Sequence, residues 1–398
     1  MKILVVHEVN YLSKIIYEFQ ILPEILSMLG HEVTIIDYDD MWQRDPQRRG
    51  TTLKAGIYGN VHRAYPRASV TVRRPGMIRL PVLSRISGAI AATWEIHRVI
   101  QQQKPDAVLL YGIPTIGMQT LIRAGRADFP GFCRAIDVTH ELVPHALLVP
   151  PTHVLAKYVF NHAGLNIALT PHLKEYIRSY GVDESRIRLL PSGVDTDMFY
   201  PGDPNPGIFQ MCDIRPGGRF ILFMGTIYRF SGLDRVIVEF PAVLSAYPDT
   251  KLVIAGTGED EDRLKRLAAG RGMGSHVIFT GVLPYRALPD LIRASTICIN
   301  PFELNGITRN ILPTKLFQYL ACGKPVIATK LPGTLTFLKG EEHGVVYATL
   351  DSVATEICRL LGDREYMSRL SANGPRSVRT YDWHHIAKTL AVWIEEVA

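Results

Sequence analysis

Short apolar runs alternate with stretches of helical spacing along almost the whole chain. Residues 3–6 are continuously apolar, as in a parallel strand covered on both faces. Ile16, Phe19, Ile25, Leu26 and Leu29 then recur at helical spacing up to Gly30, and residues 33–36 form a second apolar run. Strand, helix and strand in that order predict a βαβ unit. Further strands are predicted at 107–111, 132–138, 166–169 and 188–191, with helical segments such as 173–179 between the later ones. The alternation breaks at Pro201, Gly202, Pro204, Pro206, Gly207, Pro216, Gly217 and Gly218, where the punctuating residues predict a linker. It resumes with strands predicted at 220–224, 252–255, 276–279, 296–299 and 325–329.

The pattern therefore predicts an α/β fold of two Rossmann-like, doubly wound parallel-sheet domains, which suits a chain of 398 residues, too long for one core. The expected division is 1–205 and 206–380. Ligands of open parallel sheets bind at the carboxyl ends of the strands. Two such edges facing across a cleft would place the chemistry in the loops that end those strands.

Composition adds limits. With 47% hydrophobic and 21% charged residues the chain reads as an ordinary globular protein. No apolar run approaches the ~18–20 residues that span a bilayer, and MKILVVHEV reads as a buried strand rather than a signal peptide. Cys133, Cys212, Cys298, Cys322 and Cys358 are scattered, so reduced core thiols and a cytoplasmic setting are expected, with no structural metal. The net charge of +6 is uneven: Arg44, Arg48, Arg49, Lys54, Arg63, Arg67, Arg73, Arg74, Arg79 and Arg85 face only Asp45 between residues 44 and 85. Such a stretch attracts phosphorylated substrates or an anionic membrane surface, or is simply a solvated loop. Without interleaved aromatics it does not suit nucleic acid.

The segment after Leu312 carries the most chemistry. Pro313 suits a first helical turn, and Lys315 falls beside the free N–H groups and positive dipole end of the helix it opens. A cation there is unfavourable for the helix alone, so an anion such as a diphosphate is expected opposite it. A lysine that merely falls early in a surface helix is the plainer alternative. Leu316, Phe317 and Leu320 mark a buried face, and Gly323 ends the helix before a new strand. Gly256-Thr257-Gly258 superficially resembles a dinucleotide fingerprint. Glu259, Asp260, Glu261 and Asp262 follow it directly and would repel a phosphate, so they are read as partners of the helix dipole and an NAD-dependent enzyme is disfavoured.

Phe317-Gln-Tyr-Leu-Ala-Cys-Gly-Lys-Pro-Val-Ile-Ala328 is similar to the donor-site signature of retaining glycosyltransferases with two facing Rossmann-like domains, the GT-B type of group 1 and family 4. Leu190-Pro-Ser-Gly-Val-Asp195 with Phe199, Phe223-Met-Gly-Thr226, Ser231-Gly-Leu-Asp234, residues 247–258 and Val277-Ile-Phe-Thr-Gly281 resemble further parts of the same pattern, over most of the chain. The resemblance implies transfer of a sugar from a UDP- or GDP-sugar to an acceptor hydroxyl with retention, without metal or other cofactor. It implies a glycan or lipid-linked acceptor, a place in glycolipid, polysaccharide or envelope glycan synthesis, and a last helix, 381–398, that completes the first domain. A sugar-nucleotide epimerase of the same fold, or a non-catalytic binding or scaffold protein, are the alternatives.

Carried over position by position, the resemblance implies that Gly225, Thr226, Arg229, Ser231 and Lys315 face the diphosphate. Asn310, the backbone of Ile311, and Gln318 would meet sugar and ribose. Glu303, in the loop 301–306, is a second candidate, read either as a sugar-binding residue or as a solvent-facing glutamate. His140 is the expected catalytic residue at the end of a first-domain strand, with His145 and His153 as competitors. The sequence departs from the family where glutamates are usual, at Asn310 and Gln318, and where basic residues are usual, at Thr226 and Ser231. Amides keep hydrogen-bonding capacity but supply no charge. The unusually apolar stretch 142–160 is expected to be an acceptor wall, a hairpin contacting the inner face of a membrane, or part of the core.

Overall fold

The computed structural model describes residues 1–39, 50–113, 115–141, 143 and 145–397. The chain forms two compact units, Met1–Pro191 with Trp383–Ala398, and Ser192–Asp382.

Among its described residues the first unit has ten strands. Eight form one sheet: β1 (Lys2–Val6), β2 (Glu32–Ile36), β4 (Gly56–Val61), β5 (Val70–Arg74), β7 (Ala107–Tyr111), β8 (Gly131–Ala135), β9 (Leu165–Ala168) and β10 (Ile187–Leu189). Their order is β10-β9-β8-β7-β1-β2-β5-β4, parallel except that β4 runs antiparallel to β5. β3 (Thr52–Leu53) and β6 (Met77–Ile78) pair separately. The central strands are buried from end to end because helices cover both faces, which is why they read as unbroken apolar runs. The helices are α1 (Glu18–Met28), α2 (Leu83–Gln103), α3 (Gly117–Arg126), α4 (Val149–His162), α5 (Pro171–Arg178) and the C-terminal Trp383–Val397, which contacts α1.

The hairpin β4–β5 lies inside the stretch read as basic. Arg74 alternates inward and pairs with Asp37, Arg73 pairs with Glu95 at 2.7 Å, and Arg85 pairs with Glu8 at 2.7 Å. Arg63 donates to the carbonyls of Tyr11 and Lys14. Four of the ten cations are thus held by internal partners, and the stretch is not one uniform anion-attracting patch. Arg44, Asp45, Arg48 and Arg49 lie outside the described residues. Deeper in the unit, Arg134 and Glu18 form a fully buried pair at 2.6 Å, and Arg134 also donates to the carbonyls of Leu190 and Pro191.

The second unit has one six-stranded parallel sheet: β11 (Phe220–Met224), β12 (Lys251–Ala255), β13 (Val277–Gly281), β14 (Ile297–Asn300), β15 (Val326–Thr329) and β16 (Val345–Ala348), in the order β13-β12-β11-β14-β15-β16. Its helices include α6 (Gly207–Met211), α7 (Leu233–Ala246), α8 (Glu261–Gly270), α9 (Leu288–Ala294) and α10 (Thr314–Ala321). The period-2 pleat sorts β11 between two cores. Ile221 and Phe223 pack with Val236, Phe240 and Leu264, whereas Leu222 and Met224 pack with Leu291, Leu316 and Phe317.

The expected boundary at 205 is corrected to 191. Val194 and Phe199 belong to a core of the second unit, and Arg293 donates to the carbonyls of Met198 and Tyr200 at 3.0 and 2.9 Å. Asn205 N–H bonds Asp290, and residues 207–211 are helical. The proline- and glycine-rich passage is therefore wrapped against α9 rather than free. All five cysteines are unpaired and four are buried. No helix among the described residues is long and apolar enough to cross a membrane.

Candidate functional site

The strand order of the second unit reverses direction between β11 and β14, and nine of the ten sequence-predicted residues gather at the carboxyl end of these two strands. Gly225, Thr226, Arg229 and Ser231 follow β11, Glu303, Asn310 and Ile311 follow β14, and Lys315 and Gln318 open α10. A reversal of strand order leaves a crevice between diverging loops, the usual ligand position in doubly wound sheets.

Glycines let these loops approach one another. A Cβ on Gly256 would lie 2.0 Å from the Gly225 carbonyl oxygen, and one on Gly258 would lie 2.2 Å from that of Ile227. Gly232, with φ +66°, sits where a Cβ would lie 1.9 Å from the Pro301 oxygen. The β11 loop is also tied to the β14 loop by Glu303 N–H bonding Phe230 O at 2.9 Å. The Gly256-Thr257-Gly258 pair serves close backbone packing, and Thr257 donates to Glu261 in the following helix.

Lys315 is the central charge. Its Nζ lies 4.0 Å from the centre of the Phe223 ring and 4.5 Å from that of Phe302, beneath Gly225. Among the described residues no carboxylate pairs with it. Two ring faces stabilise a cation weakly, and desolvation lowers its pKa from 10.5 to about 7. The helix that carries it is fixed by Tyr319, whose hydroxyl accepts the Met224 N–H at 2.7 Å inside the core. Pro313 is the N-cap and Gly323, at φ +70°, ends the helix.

The other predicted residues differ in availability. Arg229 is exposed and its side chain has no ion pair among the described residues. Thr226 and Asn310 are half-buried. Ser231 is fully buried and its hydroxyl accepts Tyr228 N–H at 3.0 Å, so it shapes the turn. Ile311 donates its N–H to Thr308 O and accepts at its carbonyl from Thr334, which occupies the backbone groups expected to meet the ligand. Gln318 is hydrogen-bonded to Tyr285, whose hydroxyl pKa is raised by burial. Glu303 is half-buried, in a loop turned by Asn305 and Thr308.

Sequence reading passed over Asn300, the last residue of β14. It is fully buried, and neither amide atom has a partner among the described residues. An unsatisfied buried amide carries a desolvation penalty of ~1–3 kcal/mol. A polar residue closing an apolar strand at a sheet edge was the available signal.

His140 belongs to the first unit, in the turn Thr139–Glu141 after β8. Its Nδ1 lies 3.1 Å from the Tyr176 hydroxyl, and its ring lies 4.3 Å from that of His153, one of its competitors. Tyr176 bonds Tyr180 at 3.1 Å, and Tyr180 bonds His153, so the two histidines and two tyrosines close a ring of hydrogen bonds and stacking. Burial, then the neighbouring His153, lowers the His140 pKa. His145 is exposed. The apolar stretch 142–160 is divided: Ala156, Val159 and Phe160 are core, whereas Leu147, Leu148 and Val154 are exposed. Leu142 and Pro144 lie outside the described residues.

Two doubly wound α/β units, the second with a cation-bearing helix at its strand reversal, define the class of fold. Residues 208–377 match the glycosyl transferases group 1 family and residues 24–198 match glycosyltransferase family 4. The chain belongs to the group 1 glycosyltransferases and has the GT-B fold. It is similar to a D-inositol 3-phosphate glycosyltransferase of Acidothermus cellulolyticus, with 29% identity over 44% of this chain and 39% of that protein. It is also 26% identical, over 61% of this chain and 65% of the relative, to a GDP-mannose-dependent alpha-(1-6)-phosphatidylinositol monomannoside mannosyltransferase of Mycolicibacterium smegmatis. The matched part thus spans less than two thirds of these relatives' length. The solved structure of Anabaena HepE with UDP and glucose superposes with TM-score 0.71 at 14% identity, covering 100% of both chains.

Proposed function

We propose that this chain transfers a sugar from a nucleoside diphosphate sugar, a UDP- or GDP-sugar, to an acceptor hydroxyl with retention at the anomeric carbon. The observation that carries the reading is Lys315: an ammonium unpaired among the described residues, on two ring faces at an open strand reversal. A diphosphate there would meet Lys315, the free N–H groups of α10 and the Gly225–Thr226 backbone, with Arg229 closing from the exposed side. Charge growing on the leaving diphosphate is then met by preorganised donors, the term that usually dominates such catalysis. These groups supply the positive charge, and no metal is needed.

Asn310, Glu303 and Gln318 are the sugar- and ribose-side groups, Gln318 by exchanging its bond to Tyr285. Ser231 and Ile311 act by shaping the loops. His140 is the proposed proton-handling residue, with Nδ1 held by Tyr176 and Nε2 left for substrate. The HepE structure holds UDP and the mycobacterial relative's name specifies GDP-mannose, which supports a nucleotide sugar without choosing the base. The acceptor hydroxyl is carried on a glycan or a lipid, in a cytoplasmic setting at the inner membrane face.

Amides at Asn310 and Gln318, where the family has carboxylates, favour one second reading, a non-catalytic sugar-nucleotide binder. Titration calorimetry with UDP- and GDP-sugars, followed by product analysis with and without a chelator, separates the two. Binding with chelator-insensitive turnover and a product of unchanged anomeric configuration is expected. Binding without turnover supports the binder, and turnover of donor to a second sugar nucleotide without acceptor supports an epimerase. Absence of binding to any nucleotide sugar removes the reading.

A further inference from the structure

Three segments of the first unit bring two histidines and two tyrosines into one closed cluster. His140 comes from the turn after β8, His153 from α4, and Tyr176 and Tyr180 from α5 and the residues just beyond it. His140 Nδ1 lies 3.1 Å from the Tyr176 hydroxyl, which lies 3.1 Å from the Tyr180 hydroxyl, and the latter bonds Nδ1 of His153. The two imidazoles stack at 4.3 Å with 30° between their planes. Phe160 packs edge-on against both tyrosine rings, at 5.8 and 5.5 Å, and holds them in place. Neither Nε2 atom makes a hydrogen bond among the described residues.

A tyrosine hydroxyl has a single proton to donate, so with all three bonds made the chain has only two arrangements. In one, His140 Nδ1–H donates to Tyr176, Tyr176 to Tyr180, and Tyr180 to a bare Nδ1 on His153. In the other each bond is reversed, and His153 Nδ1–H donates. The neutral rings therefore hold opposite tautomers, one protonated at Nδ1 and the other at Nε2. Two positive charges on rings 4.3 Å apart repel, so the pair favours a single charge. Burial, then the neighbouring His153, lowers the His140 pKa, and Glu141 opposes them. Burial raises the pKa of Tyr176, with Tyr180, Glu141 and Cys133 adding to it, so Tyr176 passes protons as a hydroxyl rather than a tyrosinate. On α5, Lys174 pairs with Glu184 and Arg178 with Glu175, while Lys157, one turn beyond His153 on α4, is exposed.

We infer that Tyr176, Tyr180 and His153 are positioning residues of a proton relay that sets the tautomer of His140 and carries its charge away. The inference rests on the proposed reading of His140 as the proton-handling residue. The state ready for reaction has His140 with hydrogen on Nδ1 and a bare Nε2. Nε2 takes the proton of the acceptor hydroxyl as that O–H bond breaks, and the electron pair left on oxygen forms the new glycosidic bond. The Nδ1 proton passes to the Tyr176 oxygen, the Tyr176 proton to Tyr180, and the Tyr180 proton to Nδ1 of His153. Both hydroxyls are restored, His140 is neutral, and the positive charge rests on His153. When Nε2 then gives its proton to the leaving diphosphate, the reverse passage restores the starting state. The relay spares the His140 ring a charge that desolvation disfavours there.

The test reads tautomers and turnover on the full chain. Nitrogen NMR of isotope-labelled histidines distinguishes Nδ1–H from Nε2–H, and His140→Ala and His153→Gln assign the two rings. Opposite tautomers in the neutral form and shared titration steps are expected in wild type. In Tyr180→Phe, which removes one oxygen, each ring should titrate alone. The same variant and His153→Gln should lower kcat about tenfold, part of what acid–base catalysis supplies, with KM for a UDP- or GDP-sugar within about twofold. Their pH profiles of kcat should follow the altered His140 titration. Melting temperature is the folding control, and Tyr176→Phe carries the test if Tyr180→Phe unfolds. The same tautomer on both neutral rings overturns the inference, as does a His140 titration unchanged in Tyr180→Phe and His153→Gln. Wild-type turnover in His140→Ala overturns it through the reading it rests on, and coupled tautomers in the wild-type spectra distinguish that failure from a failure of the relay.

Discussion

Lys315 has two opposing pressures on its charge. Burial between Phe223 and Phe302 lowers its pKa to about 7, whereas a bound diphosphate would restore the ammonium. Lys315→Ala is therefore expected to weaken nucleotide-sugar binding ~10–100-fold, the value of one charge-assisted contact of ~1.5–3 kcal/mol, read by calorimetry. The sign of the pH effect follows from its depressed pKa. Between about 7 and 10.5 the unfolded chain holds a proton that the folded chain has released, so unfolding takes up a proton there. Stability without ligand should rise from this residue as pH increases through that window, and Lys315→Met should lose that rise in urea titrations at pH 7 and 9. The Arg134–Glu18 pair is the second charged residue-scale feature. Arg134→Met leaves Glu18 buried without its partner and should cost ~3–5 kcal/mol in urea unfolding. Lys315 was legible in the sequence because a cation at a helix start is locally unfavourable. Arg134 was not, since its partner lies 116 positions away.

The position of α10 depends on contacts that periodicity does not reveal. Leu316, Phe317 and Leu320 were readable as its buried face, but the bond from Met224 N–H to Tyr319 decides how the helix start meets the end of β11. Tyr319→Phe should cost ~1–3 kcal/mol, the penalty of an orphaned buried donor, in chemical denaturation. Gly232→Ala should cost more than the ~1–2 kcal/mol of a left-handed residue alone, because its Cβ would overlap the Pro301 carbonyl. Nucleotide affinity should fall with it, as the β11 and β14 loops part. The strands at 3–6, 107–111 and 220–224 were readable because full burial leaves an unbroken apolar run. β4 and β5 were not, since this edge hairpin is half polar and carries Arg73 and Arg74. α1 reads as amphipathic, yet it buries Glu18, Gln20 and Glu24, the last accepting from the N–H groups of Arg63, Ala64 and Tyr65.

For the whole chain, two separate compact units predict that a ligand of the second unit acts first on that unit. Hydrogen exchange with a saturating UDP- or GDP-sugar should show its largest slowing in residues 225–232 and 310–318. At a hundredfold excess over Kd the stabilisation should approach ~2.7 kcal/mol. Protection confined to the first unit would move the donor site there. Local pattern was enough to establish two doubly wound units and the Lys315 helix, because strand burial, helix spacing and Gly or Pro punctuation are properties of near neighbours. Contacts between distant residues decided the rest: the boundary at Pro191, where Arg293 holds the passage at 198–200 against the second unit; the internal pairing of Arg73, Arg74 and Arg85; and the engagement of the Ile311 carbonyl by Thr334 and of Gln318 by Tyr285. A side chain's type is written in the chain, but whether its polar atoms remain free for a ligand depends on which partners the fold brings within ~3 Å.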